Sequence, residues 1–405
     1  MRPSRAIRPR ETLPAISGQH LLRVLYILIA FLYWMALYLY VPTLPAYVQS
    51  KSEDLALVGV VLSQYGLWQA FIRLPLGIAA DSLGRRKPFI VAGVVLAGLG
   101  AWLMGATEGT NGLLAGRAIT GLAAGTWVPL TVAFSSLFPA QQAIRSTAIL
   151  TFVGSVGRMV ATGVTGSLNQ VGGYVLAFNL AACAAAVALL FALPVRERAH
   201  PPHRPSLRGI SRLVTRRDVL IPSLLAAVSQ YANWAITFSF MPILAERLGA
   251  SGLTLSLLLS MHIGMVTAMT LVTATMVGRV GARRLVYVTF LLLSGGIALG
   301  ALATSLVWVF AAQFCVGVAQ GLGYPVLMGL SIRDVDDGER TTAMGLHQAV
   351  YAIGMFAGPW LGGLLADILG LRPMFGVTSA ACLIGATLLI RLLPDLAEPT
   401  PRSLG

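Results

Sequence analysis

Acidic residues are scarce in this chain: 15 Asp and Glu stand against 29 Lys and Arg, and charged residues make up only 11% of 405 positions. Soluble domains carry about a quarter charged residues, so the composition excludes an ordinary water-soluble globule. All 15 acids fall in loops, tails or the ends of apolar stretches, with Glu246 and Asp367 near one surface. No carboxylate is therefore expected at mid-depth to bind a cation. Cysteine is equally sparse. Cys183, Cys315 and Cys382 are odd in number and lack ligand spacing, which excludes a disulfide framework and gives no metal site. No G-x-x-x-x-G-K-[ST] loop occurs, so direct use of ATP is not expected, and no cofactor is implied. The opening MRPSRAIRPR has no cleavage site after it and reads as a tail rather than a signal peptide.

What is abundant is long apolar sequence. Hydrophobic residues make up 56% of the chain, and mean hydropathy is +0.78. A bilayer core of about 30 Å needs roughly 20 mostly apolar residues per helix. The pattern predicts twelve such helices, over 21–48, 55–80, 88–107, 111–136, 143–168, 172–194, 219–247, 253–277, 284–304, 306–331, 341–366 and 371–393. The expected fold class is thus an all-α membrane protein of two six-helix bundles, 21–194 and 219–393, with tails at 1–20 and 394–405. Between the bundles lies a basic, Pro-rich linker, 195–218. Leu207, Ile210, Leu213 and Val214 recur in it at helical spacing among five arginines, which fits either an amphipathic helix on the membrane surface or a solvated tether.

The net charge of +14 raises the question of nucleic acid, and the placement of the basic residues answers it. Lys51, Arg247 and Arg372 fall on one set of loops, and Arg73, Arg117 and Arg158 fall inside apolar stretches. All the others lie on the alternate loops and tails. That asymmetry is the positive-inside pattern and places both termini in the cytoplasm, with the basic charge facing anionic headgroups rather than nucleic acid.

The halves repeat. An offset of 200 superposes Trp34 on Trp234, Pro42 on Pro242, Gly121 on Gly321 and Leu122 on Leu322. An offset of 197 superposes Gly84 on Gly281, Gly157 on Gly354 and Gly166 on Gly363. Duplicated six-helix units related by an axis normal to the membrane are a standard plan for transporters, with the solute near the midplane between halves.

The loop after the second stretch reads GIAADSLGRRKP, from Gly77 to Pro88. Gly77 permits close helix approach, Asp81 can cap a helix or pair with a cation, Gly84 permits a tight turn, and Arg85 and Arg86 hold the loop on the basic side. This resembles the G-x-x-x-D-x-x-G-R-R motif of the major facilitator superfamily, in the loop where that family carries it. A second copy, GRVGARR from Gly278 to Arg284, has lost the acid. LLAGRAITGLAAG resembles the family's Arg-containing helix-4 motif through Arg117 and Gly121, and VPTLPAYV matches its P-x-x-P-x-Y element. The antiporter element G-x-x-x-G-P-x-x-G-G survives in helix 5 only as Gly157 and Gly166, whereas helix 11 has it whole, as GMFAGPWLGG from Gly354 to Gly363. By resemblance, Asp81 with Gly77, Gly84, Arg85 and Arg86 would form a conformational latch across the cytoplasmic interface; the alternative is a loop-structuring Asp.

An ionisable residue at membrane depth is costly unless it faces the bundle interior. Arg158 lies fifteen residues into helix 5 on a stripe with Thr151, Ser155 and Thr162, which should face a central cavity. Arg117 sits closer to its helix end, where snorkelling competes with a cavity role. Arg73 is expected to support the loop that follows it. Either interior arginine could serve an anion, or be satisfied by carbonyls and hydroxyls. Further cavity candidates at helical spacing are Tyr33 and Trp34 in helix 1, Asn233 and Trp234 in helix 7, and Gln313, Gln320 and Tyr324 in helix 10; interhelical bonding is the competing role for each. His262 and His347 are the embedded groups that titrate ordinarily near neutral pH, hence candidates for proton coupling or for structural hydrogen bonds.

What the resemblance implies is a monomeric inner-membrane secondary transporter working by alternating access. Its expected partners are the bilayer, a small-molecule substrate and protons. Proton-coupled export of an amphipathic solute is expected, anionic or zwitterionic because no buried acid is present to balance a cation. Broad multidrug efflux, flipping of a lipid-linked molecule, and a non-transporting membrane sensor also remain open. An enzyme is not expected, because convergent nucleophile, acid and base groups are missing at mid-depth.

Overall fold

The computed structural model describes residues 16–139, 142–197, 212–336 and 340–393. It is helical throughout these segments. The first half comprises α1 (Ile16–Tyr38), α2 (Leu44–Gln49), α3 (Leu55–Leu83), α4 (Lys87–Ala106), α5 (Thr110–Gly125), α6 (Trp127–Ser135) and α7 (Ala143–Ala192). The second comprises α8 (Arg217–Ala235), a π-helical turn Ile236–Phe240, α9 (Met241–Arg247), α10 (Gly252–Val280), α11 (Ala282–Ala301), α12 (Leu306–Ile332), α13 (Arg340–Leu369) and α14 (Leu371–Arg391).

Eleven of the described helical spans are long and apolar enough to cross a bilayer, and one of them, Arg145–Ala192, is long enough to cross twice. That span is α7, whose helical geometry is interrupted at Gly172 and at Gly173, where φ is +65°. A positive φ is open to glycine without a Cβ penalty, so the chain reverses there with no loop. The predicted separation of helices 5 and 6 by residues 169–171 is therefore corrected, while the twelve crossings stand. Two other long stretches are broken where one helix was expected. The first crossing unwinds at 39–43 between α1 and α2, and the fourth turns at Thr126 between α5 and α6.

For orientation, the end of the bundle that carries the linker is called the linker end, and the opposite end the far end. The halves meet along two seams, α3 against α13 and the first arm of α7 against α10. Glycine makes both seams tight at the far end. A Cβ placed on Gly59 would come within 2.3 Å of the Pro359 carbonyl and 2.8 Å of the Gly363 Cα, and one on Gly166 within 2.4 Å of the Gly252 carbonyl. α2 also touches α9 there. Toward the linker end, by contrast, a Cβ on Gly77, Gly345 or Gly278 would meet nothing within 4 Å. The close glycine contacts between the two halves named here are thus at the far end.

Each half is tied to its own stretch of linker. The Glu197 carboxylate accepts from the backbone N–H of Arg86 (2.7 Å) and of Lys87 (2.7 Å), capping the first turn of α4. Carboxylates stabilise free N–H groups at a helix start by charge and by hydrogen bonding. The turn before it uses Gly84 at φ +63°, and its repeat mate Gly281 at φ +87°, as the sequence pattern requires. On the other side, Leu213 is fully buried with Val219, Val335 and Ala343, and Arg216 Nη2 donates to the Asp334 carbonyl at 2.6 Å. This stretch of linker is docked on the second half; Leu207 and Ile210 lie outside the described residues.

Candidate functional site

The two interrupted helices lie at repeat-equivalent positions, because the offset of 200 that pairs Trp34 with Trp234 carries the 38–43 break onto 238–243. Interruptions at matching places in both halves point to a central site in transporters of this plan. The freed backbone is satisfied locally, since Thr165 Oγ1 of α7 donates to the Leu39 carbonyl at 2.8 Å. That satisfaction is what irregular backbone at membrane depth demands.

The breaks bring aromatic rings of both halves together. Tyr38 and Phe238 meet edge to face with centroids 6.4 Å apart. Trp234 stacks on Phe238 at 4.5 Å and on Tyr65 of α3 at 5.2 Å. On the first-half side, Trp34 packs against Tyr33, Tyr38 and Trp127, and Tyr33 donates to the Ala123 carbonyl at 2.6 Å. His262 of α10 closes the ladder, edge to face with Phe238 at 6.0 Å. Stacked and edge-on pairs of this spacing favour the arrangement beyond mere burial.

All three embedded arginines rest on aromatic faces. The Arg158 guanidinium lies 4.6 Å from the Trp34 ring and 5.7 Å from Tyr38. Arg117 lies 4.5 Å from Tyr65, and Arg73 5.0 Å from Tyr351 of α13. A ring quadrupole attracts a desolvated cation by about 2 kcal/mol or more, which offsets part of the burial cost without a counter-ion. Among the described residues the ion pairs are Arg216–Asp218 and Arg333–Asp334, both at the linker end. Among the described residues, then, none of the three embedded arginines is paired with a carboxylate.

Arg158 is the most available of the three. It is half-buried, and its hydrogen bond to protein runs from Nη2 to Ser155 Oγ at 3.0 Å, while Nε is buried without a partner. Gly154 makes its seat: a Cβ there would lie 2.6 Å from Cδ1 and 2.7 Å from Nε1 of Trp34, so a side chain at 154 would collide with the edge of the indole. Arg117 is only 3% exposed, so the snorkelling alternative is excluded. Arg73 corrects the expectation that it supports the following loop. Its guanidinium donates to the Tyr351 hydroxyl on the other half, making it a strap across the α3–α13 seam.

Other candidates separate. Thr162 shares a hydrogen bond with Ser260 at 2.8 Å and the Gly166 N–H donates to Ser256 Oγ at 2.6 Å, both across the α7–α10 seam. Gln320 donates to Ser229 Oγ at 3.0 Å, which assigns it to packing between α12 and α8, and Gln313 is fully buried on the same helix. His347 bonds Ser223 Oγ through Nδ1 at 3.1 Å and lies edge-on to Tyr351. Asn233 is buried with its Oδ1 unpaired. Tyr324, one residue before the helix Pro325, is 39% exposed and edge-on to Tyr351. For the latch, Gly77, Gly84, Arg85 and Arg86 are at the linker end; the Asp81 side chain lies outside the described residues. Among the described residues no cluster of three His, Cys, Asp or Glu is present.

Tyr38, Phe238, Tyr65, Gly154 and Tyr351 were not singled out from the sequence. A signal existed for the first two, since the offset that superposes the tryptophans also superposes Tyr38 on Phe238.

Two matched bundles with helix interruptions at nearly equivalent positions define a membrane transport protein. The chain belongs to the Major Facilitator Superfamily, whose model matches residues 26–230 and again 223–405. It is 26% identical over 381 residues to the chloramphenicol efflux pump MT0201 of Mycobacterium tuberculosis (strain CDC 1551 / Oshkosh), covering 84% of each chain. It is 29% identical over 149 residues to the inner membrane transport protein YajR of Escherichia coli (strain K12), a match spanning 36% of this chain and 30% of that one. A crystal structure of a bacterial homolog of the human lysosomal transporter Spinster, in an inward-facing and occupied conformation, superposes with a TM-score of 0.79 at 16% identity, over 95% of this chain and 97% of that one. The family is one of transporters and not of enzymes.

Proposed function

We propose that this protein is a secondary active exporter of the inner membrane that moves an anionic or zwitterionic amphipathic organic solute by alternating access, coupled to protons. The observation that carries the reading is the unneutralised Arg158, seated on Trp34 and Tyr38 where the two halves meet. A cation held in low dielectric by rings alone gains most from an anion that brings its own charge. Export is supported by the relation to a pump named for chloramphenicol efflux. With the linker end in the cytoplasm, as the positive-inside pattern of the sequence implies, the tight glycine contacts close the outer end of the protein.

The proton has two candidate carriers. His262 touches the aromatic ladder and has an unpaired Nδ1, and His347 sits beside the Arg73–Tyr351 strap with an unpaired Nε2. Broad multidrug efflux is the competing reading, favoured by the same aromatic lining. The test is a thermal-stability screen of the purified protein against matched anionic, zwitterionic and cationic amphipaths, since a ligand that binds the folded state raises apparent stability. Stabilisation by anions or zwitterions that disappears in Arg158→Gln is the expected result. Stabilisation by cations that persists in Arg158→Gln would make the arginine structural. Uptake of the stabilising compound into inverted vesicles, abolished by collapsing the pH gradient, checks the coupling.

A further inference from the structure

We infer that the solute of this site is a planar aromatic acid, its anionic group held by Arg158 of the first half and its ring held on Phe238 of the second. The inference rests on the anion reading above and adds to it the shape of the cargo and the second wall of its site.

The geometry separates charge from shape. On α7, the Arg158 guanidinium has five N–H donors and one acceptor among the described residues, Ser155 Oγ. A half-buried guanidinium with one protein acceptor and no carboxylate partner among the described residues suits an anion. A donor array of this kind is indifferent to the rest of the molecule, so ring selectivity must come from elsewhere.

It comes from the opposite half. Phe238 lies in the π-helical turn Ile236–Phe240. Such a turn widens the helix and redirects side chains, and it recurs at functional sites. Here it delivers the ring to Tyr38 at 6.4 Å and to His262 at 6.0 Å, while its other face stacks on Trp234. Phe238 nonetheless keeps partial exposure although both halves pack against it. Tyr38 links the two groups, meeting Phe238 at 6.4 Å and lying 5.7 Å from the Arg158 guanidinium, so a molecule the size of a fused two-ring acid can reach both. Aliphatic walls would bind any greasy tail. Rings presented edge and face at these spacings reward a flat π-system specifically.

Because the ring wall belongs to one half and the charge site to the other, a molecule bearing both groups bridges them. A solute with only one of the two groups engages one half alone. Bridging favours the state in which the halves close over the cargo, so the device couples recognition to movement.

Four probes of one size separate charge from aromaticity: 2-naphthoate, its saturated analogue decahydro-2-naphthoate, 2-naphthylmethanol and 2-naphthylmethylammonium. Binding is read by thermal shift and by quenching of tryptophan fluorescence in the purified full chain. The expected order places 2-naphthoate about fivefold tighter than the saturated acid, the size of an aromatic-pair preference, although the saturated acid is the more hydrophobic of the two. Phe238→Leu should erase that ratio while sparing the saturated acid, and Arg158→Gln should abolish binding of both acids. Equal binding of the two acids by the wild-type protein overturns the inference and leaves the anion reading standing. Stabilisation by the ammonium probe with neither acid bound overturns both. Should Phe238→Leu fail to fold, the wild-type ratio decides alone.

Discussion

Placing a methyl group on Gly59 should push the far end of the protein open. In the conformation described here a Cβ at that position would lie 2.3 Å from the Pro359 carbonyl oxygen and 2.8 Å from the Gly363 Cα. Both neighbours are backbone, so no side-chain rotation relieves the contact. Reaching ordinary van der Waals distance requires α3 and α13 to part by about 1 Å at this point, and overpacking of that kind costs about 1–3 kcal/mol. The penalty falls on the far-end-closed state alone, because in the opposite state these helices have separated. Gly59→Ala therefore shifts the conformational equilibrium toward the far-end-open state by about 5–150-fold. Gly77→Ala is the matched control: it lies on the same helix, and its Cβ meets nothing within 4 Å here. The assay is a distance distribution between spin labels at Lys51 and Arg372, both exposed at the far end, in a background without the three native cysteines. Gly59→Ala should populate a longer distance and Gly77→Ala should not. Equal distributions for Gly59→Ala and wild type would refute the view that this seam is what closes the far end.

Three further outcomes follow from named contacts. Tyr351→Phe removes the acceptor of buried Arg73 but keeps the ring beneath it; a hydrogen bond to a charged group contributes about 1.5–3 kcal/mol, so the melting temperature in detergent should fall, and an unchanged one would refute a stabilising role for the bond. Gly154→Ala would crowd the Trp34 indole, 2.6 Å from the new Cβ at its nearest atom, and should lower affinity for anionic ligands about tenfold with little change in the cation screen; unchanged anion affinity would separate Trp34 from the site. Glu197→Ala uncaps α4 and should lower stability by about 0.5–2 kcal/mol, read as a reduced melting temperature in detergent while ligand affinity at Arg158 stays the same.

Much of the architecture was legible in one dimension because the bilayer is a harsh solvent. It tolerates only helices of set length, so twelve crossings, the duplicated halves and the lack of an interior acid could be read from runs of apolar residues and from where the charges fall. The site was legible in part. Arg158, Trp34 and Trp234 were found because charge at depth and repeated aromatics are conspicuous in a string of letters. Arg73 was misread, since its position near a loop gives no hint that Tyr351, 278 residues away, is its partner. For Gln320 the sequence left a cavity role and an interhelical role open. A polar stripe on a helix says that something polar is wanted, and the tertiary packing supplied Ser229 to Gln320.

The sequence by itself determined membrane insertion, the count of crossings, the two-fold repeat and the sign of the interior charge, because each depends on composition summed over a helix. Only the tertiary structure decided which end the tight glycine contacts close, that the edge of Trp34 abuts Gly154, and that Tyr38 and Phe238 meet across the two halves. Those facts depend on how two unwound turns, at 39–43 and at Ile236–Phe240, tilt the chain. A break of a few residues leaves helix length and hydropathy almost unchanged, yet it redirects every ring beyond it. That is why the site's walls were invisible until the two halves were assembled.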